Sequence, residues 1–322
     1  MILILSNPFD ATTTEVCFWL DKYNGNYLVL STDDLYKDFT FRLPNNISFS
    51  IFDKVNVIWN RRWVIDSLFN EEYSKDNLVN KGIKQNLHSE IQILDKYFWN
   101  QFDDKIWIDK FSSIYVNKLQ MLKIAQLMGF NIPDTIITTK KTVLDDFIKQ
   151  NKSVICKSIS DNIIFDIDEY NYFYGYTNEI NSDLLKQLPD SFFPSLFQEE
   201  IDKEIEVRTF VLFKHIYSMA IFSQADNQTA IDFRKYNNEK PNRTAPFKLP
   251  KDISDNILKF MKKTNLNSGS FDFILDKKGK FYFIEINPVG QFGMISKPCD
   301  YKLEKLFAKE LIYYDQKNKR NN

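Results

Sequence analysis

The chain has 322 residues, 43% of them hydrophobic and 26% charged, with a formal net charge of −1. That length holds two or three domains' worth of structure, in the composition of an ordinary globular protein. A charge so near zero gives no reason to expect nucleic-acid or anionic-membrane binding, and no apolar run reaches bilayer-spanning length.

Residues 1 to about 110 read as an α/β unit. Ile2–Leu5 is a short buried strand; MILILSNPFD lacks a basic leading segment and is not a signal peptide. Asp10 to Thr14 supplies helix-start chemistry for Glu15–Lys22. Asn24-Gly25 is a turn, Tyr27–Leu30 a second strand, and Val55–Trp59 a third that runs into Asn60-Arg61-Arg62-Trp63. Two arginines at the carboxyl end of a strand lie where open α/β sheets bind ligands; plain surface charge is the other reading. Residues 71 to 100 read as helix.

From Val116 the pattern changes. Apolar residues at 119, 122, 124, 125, 127 and 128 make a helical face that stops at Gly129, a natural C′ position. Strand Ile136–Thr139, a short helix Leu144–Lys149 and strand Val154–Lys157 follow. Lys118 and Lys157 are isolated cations, solvated or facing each other across a cleft. Residues 158 to 180 read as a mobile hairpin or lid, and Pro189 to Pro194 as a turn-rich subdomain boundary. Ile205–Phe213 alternates so that Glu206 and Arg208 share a face, with Ile216–Ser223 as its hairpin partner. Arg234 and Arg243 fall in a loop-like stretch ending at Pro250, before a helix over Ser254–Thr264. A last helix covers about 301 to 314. The domains implied are 1–115, 116–195 and 196–322.

Between the last two helices lies the most informative stretch, FDFILDKKGKFYFIEINPVGQ. It reads as strands Phe271–Asp276 and Phe281–Asn287 around a Lys278-Gly279 tip. A symmetric hairpin centred there sets Asp272 opposite Glu285, with Asn287 on the same face. Like charges directly opposite destabilise a strand pair unless a cation lies between them. Two carboxylates and an amide oxygen suit Mg²⁺, which needs only one or two carboxylates beside substrate phosphates. An exposed hairpin with its acids in water is the alternative.

The remaining inventory narrows the chemistry. Cys17, Cys156 and Cys299 are odd in number and unclustered, which argues for a reducing compartment, the cytoplasm, and against a disulfide frame or zinc site. His88 and His215 leave little for histidine-based catalysis. Eight glycines form no Walker or Rossmann pattern. Seven arginines stand in an otherwise lysine-rich chain and mark places for planar, bidentate donation.

A helix-start lysine, a strand lysine, a QEE-I segment, E-V-R on a strand and D…E-x-N on a hairpin occur in that order. This order resembles the ATP-grasp superfamily. VIWNRRW, NKLQMLKIAQLMGFNIPDTIITT, QEEIDKEIEVRTFVLF, IDFRKYNNEKPNRTAPFKLP and FIEINPVGQF are similar, more narrowly, to the ATP-grasp peptide ligases of the microviridin-ligase and grasp-with-spasm maturase type, the graspetide ligases. The resemblance implies an α/β (α+β) ATP-grasp fold with an N-terminal α/β pre-ATP-grasp domain, a central subdomain and a C-terminal mixed-sheet subdomain, ATP lying between the last two. It implies ATP and Mg²⁺ as cofactors and a ribosomally made precursor peptide, leader and core, as partner. Nucleic acid and membrane are not implied, and the oligomeric state, a homodimer included, stays open.

Roles follow position by position. Lys118 and Lys157 would lie over the nucleotide phosphates. Glu199, Glu200 and Ile201 would form the hinge that reads adenine, and Glu206 would accept from the ribose. Asp272, Glu285 and Asn287 would hold Mg²⁺; Arg208, with Arg234 and Arg243, would serve the transferring phosphoryl group; Arg61 and Arg62 would meet peptide carboxylates. The family's glycine-rich loop after the second lysine is missing from Ser158–Ile164. The implied reaction phosphorylates Asp or Glu side chains and couples them to Thr or Ser hydroxyls as macrocyclic esters. Amide formation, through a peptide lysine or by adding amino acids to a small acid, and an inactive nucleotide- or peptide-binding module are the rival readings.

Overall fold

The computed structural model describes residues 1–37, 39–40, 52–63, 78–160, 164–166, 172–175, 177–225 and 241–319. In chain order its elements are β1 (Ile2–Leu5), α1 (Ala11–Lys22), β2 (Tyr27–Leu30), α2 (Thr32–Tyr36), β3 (Val57–Asn60), α3 (Leu78–Asn100), β4 (Ile106–Ile108) and α4 (Phe111–Ile114). Next come α5 (Lys118–Leu127), β5 (Thr135–Lys140), α6 (Lys141–Gln150), β6 (Val154–Lys157), β7 (Ile164–Asp166), β8 (Tyr172–Tyr174), β9 (Asn178–Glu179), α7 (Ser182–Gln187) and β10 (Ser191–Glu199). Last are β11 (Lys203–Leu212), β12 (His215–Phe222), β13 (Arg243–Phe247), α8 (Lys251–Thr264), β14 (Ser268–Asp276), β15 (Phe281–Asn287), α9 (Gly293–Ser296) and α10 (Leu303–Lys319).

Two units emerge, Met1–Tyr115 with Leu266–Ser268 and Tyr301–Asn322, and Val116–Asn265 with Gly269–Asp300. In the first, β2-β1-β3-β4 form an all-parallel sheet. Every residue of β1 and β3 is buried, as a parallel sheet covered on both faces requires. Leu3, Leu5 and Ile58 pack with Phe98, Trp99, Phe102 and Trp107. The last helix differs from its expected grouping with 196–322: α10 packs on α1 and the sheet, with Phe307 against Trp59. It also anchors the chain start, since Asp315 accepts from the Met1 amino group at 2.5 Å and from Asn56 at 2.7 Å.

The second unit carries a sheet ordered β5-β10-β6-β9 and one ordered β13-β12-β11-β14-β15. The expected boundary at 189–194 is instead the start of β10, where the register on β5 shifts between Ser191 and Ser195. Pro194 falls in that irregularity, where a residue without an N–H is tolerated. β7 and β8 pair antiparallel inside the stretch read as a lid.

The five-stranded sheet has two unlike faces at its β14–β15 end. Phe271, Phe273 and Phe283 pack with Phe260 of α8 and with Phe130. The opposite face carries the polar residues. At the other end of β15, Gly290 has φ +56°, and a Cβ there would lie 2.8 Å from Phe210 Cε2. The Phe210 ring is packed against Phe292 at 4.9 Å and cannot simply move aside. Gly290→Ala is therefore expected to destabilise the fold by about 2 kcal/mol, read from urea unfolding midpoints.

Candidate functional site

The hairpin sets Asp272 opposite Glu285, as the sequence predicts but by a different route, and it also sets Ser270 opposite Asn287. At the tip Leu275 pairs with Phe281, and Asp276 N donates to Lys280 O, so the loop is Lys277-Lys278-Gly279 with Gly279 at φ +82°. That register, continued, would put Glu285 opposite Phe271 in the phenylalanine core. The register shift between Asp272 and Phe273 inserts Ile284 as the extra residue and turns Glu285 to the Asp272 side.

Each carboxylate meets a cation of its own. Arg208 Nη1 donates to both Asp272 oxygens at 3.0 Å, with the side chains 6% and 16% exposed. Lys118, first residue of α5 behind the Asn117 N-cap, has its Nζ 3.8 Å from Glu285. It also donates to Ser160 O at 2.8 Å, just beyond β6. The repulsion expected between facing acids is thus offset by two cations from other elements. Arg208 Nε is buried and has no hydrogen-bond partner among the described residues. Asn287 Nδ2 approaches Glu285 Oε1 at 3.5 Å.

Glu206 shares Arg208's face of β11 and is gripped through one oxygen. Lys203 Nζ, 2.6 Å away, and Ser223 Oγ, 2.7 Å away, both donate to its Oε1, and no described group donates to Oε2. Lys203 is 6% exposed, a buried cation absent from the sequence reading. Its spacing from Glu206 puts the two on opposite faces of a regular strand, so alternation gave no signal for it.

Lys157 ends β6 opposite Leu196 of β10. At the far end of β10 the Glu199 and Glu200 amides donate to Asp134 O at 2.8 Å and Ser153 O at 2.9 Å. Ser153 Oγ donates to Glu200 Oε2 at 2.6 Å. The Ile201 amide has no such backbone partner among the described residues. Arg243 opens β13 and stacks over the Phe222 ring at 5.1 Å. Arg234 lies outside the described residues.

The first unit holds Arg61 and Arg62. Arg61 is buried, its Nε 3.2 Å from Asp10 Oδ1, and it donates to Thr12 Oγ1 at 3.2 Å. Asp10 caps α1 by accepting from Thr13 N at 2.8 Å. Burial pushes the Asp10 carboxyl up, but Thr13 and Arg61 outweigh it and hold the pKa below the ordinary value. Arg61 is thereby committed to the helix cap, whereas Arg62 is 55% exposed, 3.6 Å from Asp10. Arg61→Met, which strands a buried carboxylate, is expected to destabilise the protein by about 3 kcal/mol in thermal or urea unfolding.

No family model and no curated protein matches the chain. Solved structures do. A RiPP-associated ATP-grasp ligase of Chryseobacterium gregarium, in complex with ADP and a leader and core peptide, superposes with TM-score 0.80 at 24% identity over 96% of both chains. The macrocyclase MdnC of Microcystis aeruginosa MRC, bound with precursor peptide MdnA, superposes with TM-score 0.78 at 20% identity over 97% of this chain and 99% of its own. The ATP-grasp ligase PsnB, complexed with a precursor variant, Mg and ADP, gives TM-score 0.72 at 14% identity over 97% and 98%. The fold is that of these ATP-grasp ligases, matched over nearly the whole length of the chain. No helix among the described residues is long and apolar enough to cross a membrane.

Proposed function

We propose that the protein is an ATP-dependent peptide ligase of the graspetide type. It transfers the γ-phosphoryl group of ATP to an Asp or Glu side chain of a ribosomally made precursor. A Thr or Ser hydroxyl of the same peptide then attacks the acyl phosphate, releasing phosphate and closing a macrocyclic ester. The observation that carries this reading is the Asp272–Glu285 pair, two facing carboxylates balanced by Arg208 and Lys118 on an ATP-grasp fold.

Phosphoryl transfer asks a protein chiefly for positioning and charge neutralisation. The polar face of the hairpin is suited to that. Asp272, Glu285 and Asn287 present hard oxygen donors on one face, a set that fits Mg²⁺. Held there, Mg²⁺ would supply neutralisation of phosphate charge. Arg208, fixed by Asp272 through Nη1, keeps its Nη2 edge for a phosphoryl oxygen. Lys118 exchanges Glu285 and the Ser160 carbonyl for phosphate, beside Lys157. Glu206 offers Oε2 to the ribose hydroxyls, and Ile201 N–H, at the end of the Glu199-Glu200 hinge, offers a donor to the adenine edge. Arg243 and Arg234 serve the phosphate or acyl phosphate, and Arg62 meets peptide carboxylates. ATP and Mg²⁺ as requirements, and the absence of paired cysteines, accord with a cytoplasmic enzyme.

Incubation with ATP, Mg²⁺ and the peptide encoded beside the gene tests the reading by mass spectrometry. Loss of one water per ring is the expected result, with sensitivity to mild alkali marking esters and resistance marking amides. ATP hydrolysis triggered by free amino acids, with the peptide unchanged, would overturn it.

A further inference from the structure

Ser270 is fully buried on β14, and its hydroxyl has no hydrogen-bond partner among the described residues. A buried hydroxyl left in that state destabilises the fold, and in native proteins it calls for a reason. Its place in the register supplies one. Ser270 stands directly opposite Asn287, on the face that carries Asp272 and Glu285, and opposed side chains on one sheet face lie about 5 Å apart at Cβ. Asn287 is loosely held, since its Nδ2 reaches Glu285 Oε1 only at 3.5 Å, the edge of hydrogen-bonding range.

We propose that Ser270 is a positioning residue for the metal, the acceptor that orients Asn287 once the cation is bound; this rests on the Mg²⁺ reading above. An amide has its oxygen and its NH₂ on opposite sides of one carbon. While the NH₂ leans on Glu285, the carbonyl oxygen is turned away from that carboxylate. A cation held by Glu285 repels the partly positive NH₂ and attracts the oxygen, so the amide must rotate and its N–H must find another acceptor. Ser270 Oγ is an unsatisfied oxygen directly across the strand pair, and it fixes the rotated amide with Oδ1 on the metal. Outer contacts of this kind typically change metal affinity by about 10- to 100-fold.

The test is Ser270→Ala, read by Mn²⁺ titration of the protein–ADP complex with electron paramagnetic resonance. The expected result is Mn²⁺ affinity weakened by about tenfold or more. Metal-free ADP affinity should be unchanged, and the metal-free Tm unchanged or raised, because an unsatisfied group has been removed. Unaltered Mn²⁺ affinity would overturn the proposal, as would a lowered metal-free Tm, which would mean that the hydroxyl already serves the fold. Glu285→Gln is the companion. If it too leaves Mn²⁺ binding intact, the metal reading itself fails; if it abolishes binding while Ser270→Ala does not weaken it, only the role of Ser270 falls.

Discussion

Glu285→Gln is expected to lower ATP-dependent ligation by about 10³-fold while leaving Tm close to that of the parent. The two effects separate because of where the side chain lies. Glu285 is 25% exposed and its Lys118 partner 26%, at 3.8 Å, a pair worth at most about 1 kcal/mol in the folded protein. Loss of its charge also relieves the repulsion from Asp272 across the strands, which offsets part of that. Asp272→Asn should behave differently. Its carboxylate balances Arg208 through two 3.0 Å contacts, and both side chains are largely buried. The neutral amide leaves a buried guanidinium uncompensated at a stability cost of about 3 kcal/mol, so Tm should fall with activity. Rates by mass spectrometry and Tm by calorimetry on both variants check this. Full activity in Glu285→Gln would remove the residue from the proposed metal site.

The hairpin shows how sequence can reach the right pairing through a wrong intermediate. Alternation and the Gly279 turn located both strands, yet the symmetric tip is off by one residue. The bulge at Ile284 restores the Asp272–Glu285 pairing, and no residue type there announces it; the requirement that phenylalanines fill one face imposes it. The Glu206–Arg208 face was legible for the simpler reason that β11 is regular and its partner β12 follows directly. What stayed hidden are contacts made by chain segments distant in sequence or out of strand phase. Lys203 on Glu206 breaks the alternation. The α10 helix folds back to the first unit across the whole length of the chain. Sequence treats Arg61 and Arg62 alike, as a pair placed to meet a ligand's carboxylates, and only the fold brings Arg61 onto the Asp10 cap, separating it from Arg62. The Glu199-Glu200-Ile201 segment, for which an adenine hinge is proposed, rests on local order, and its backbone bonds to Asp134 and Ser153 follow from strands that flank β10.

Asp109→Ala is the substitution expected to reduce stability most, by about 4 kcal/mol. Asp109 lies at the end of β4, 2% exposed. It accepts from Asn267 N at 2.6 Å, Ser268 N at 3.0 Å and Ser268 Oγ at 2.9 Å, while Asn267 Nδ2 donates to Trp107 O at 2.8 Å. Alanine leaves two backbone N–H groups and a hydroxyl in a buried place with nothing to accept them. Asn is no remedy, since its NH₂ would face the Ser268 donors. The effect should depend on pH. Burial pushes the carboxyl up to about 7 from 3.8, against the pull of the three donors. The folded state then holds a proton between those values that the unfolded chain has lost, so this group's contribution is greatest below about pH 4, declines as pH rises to about 7 and is flat beyond. In the protonated form the Ser268 hydroxyl can reverse and accept, which keeps part of the network. The stability gap between parent and Asp109→Ala, from urea unfolding at pH 5 and pH 8, should therefore narrow at the higher pH. A gap that widens would mean that the donors outweigh burial and that the carboxylate is the form the fold selects.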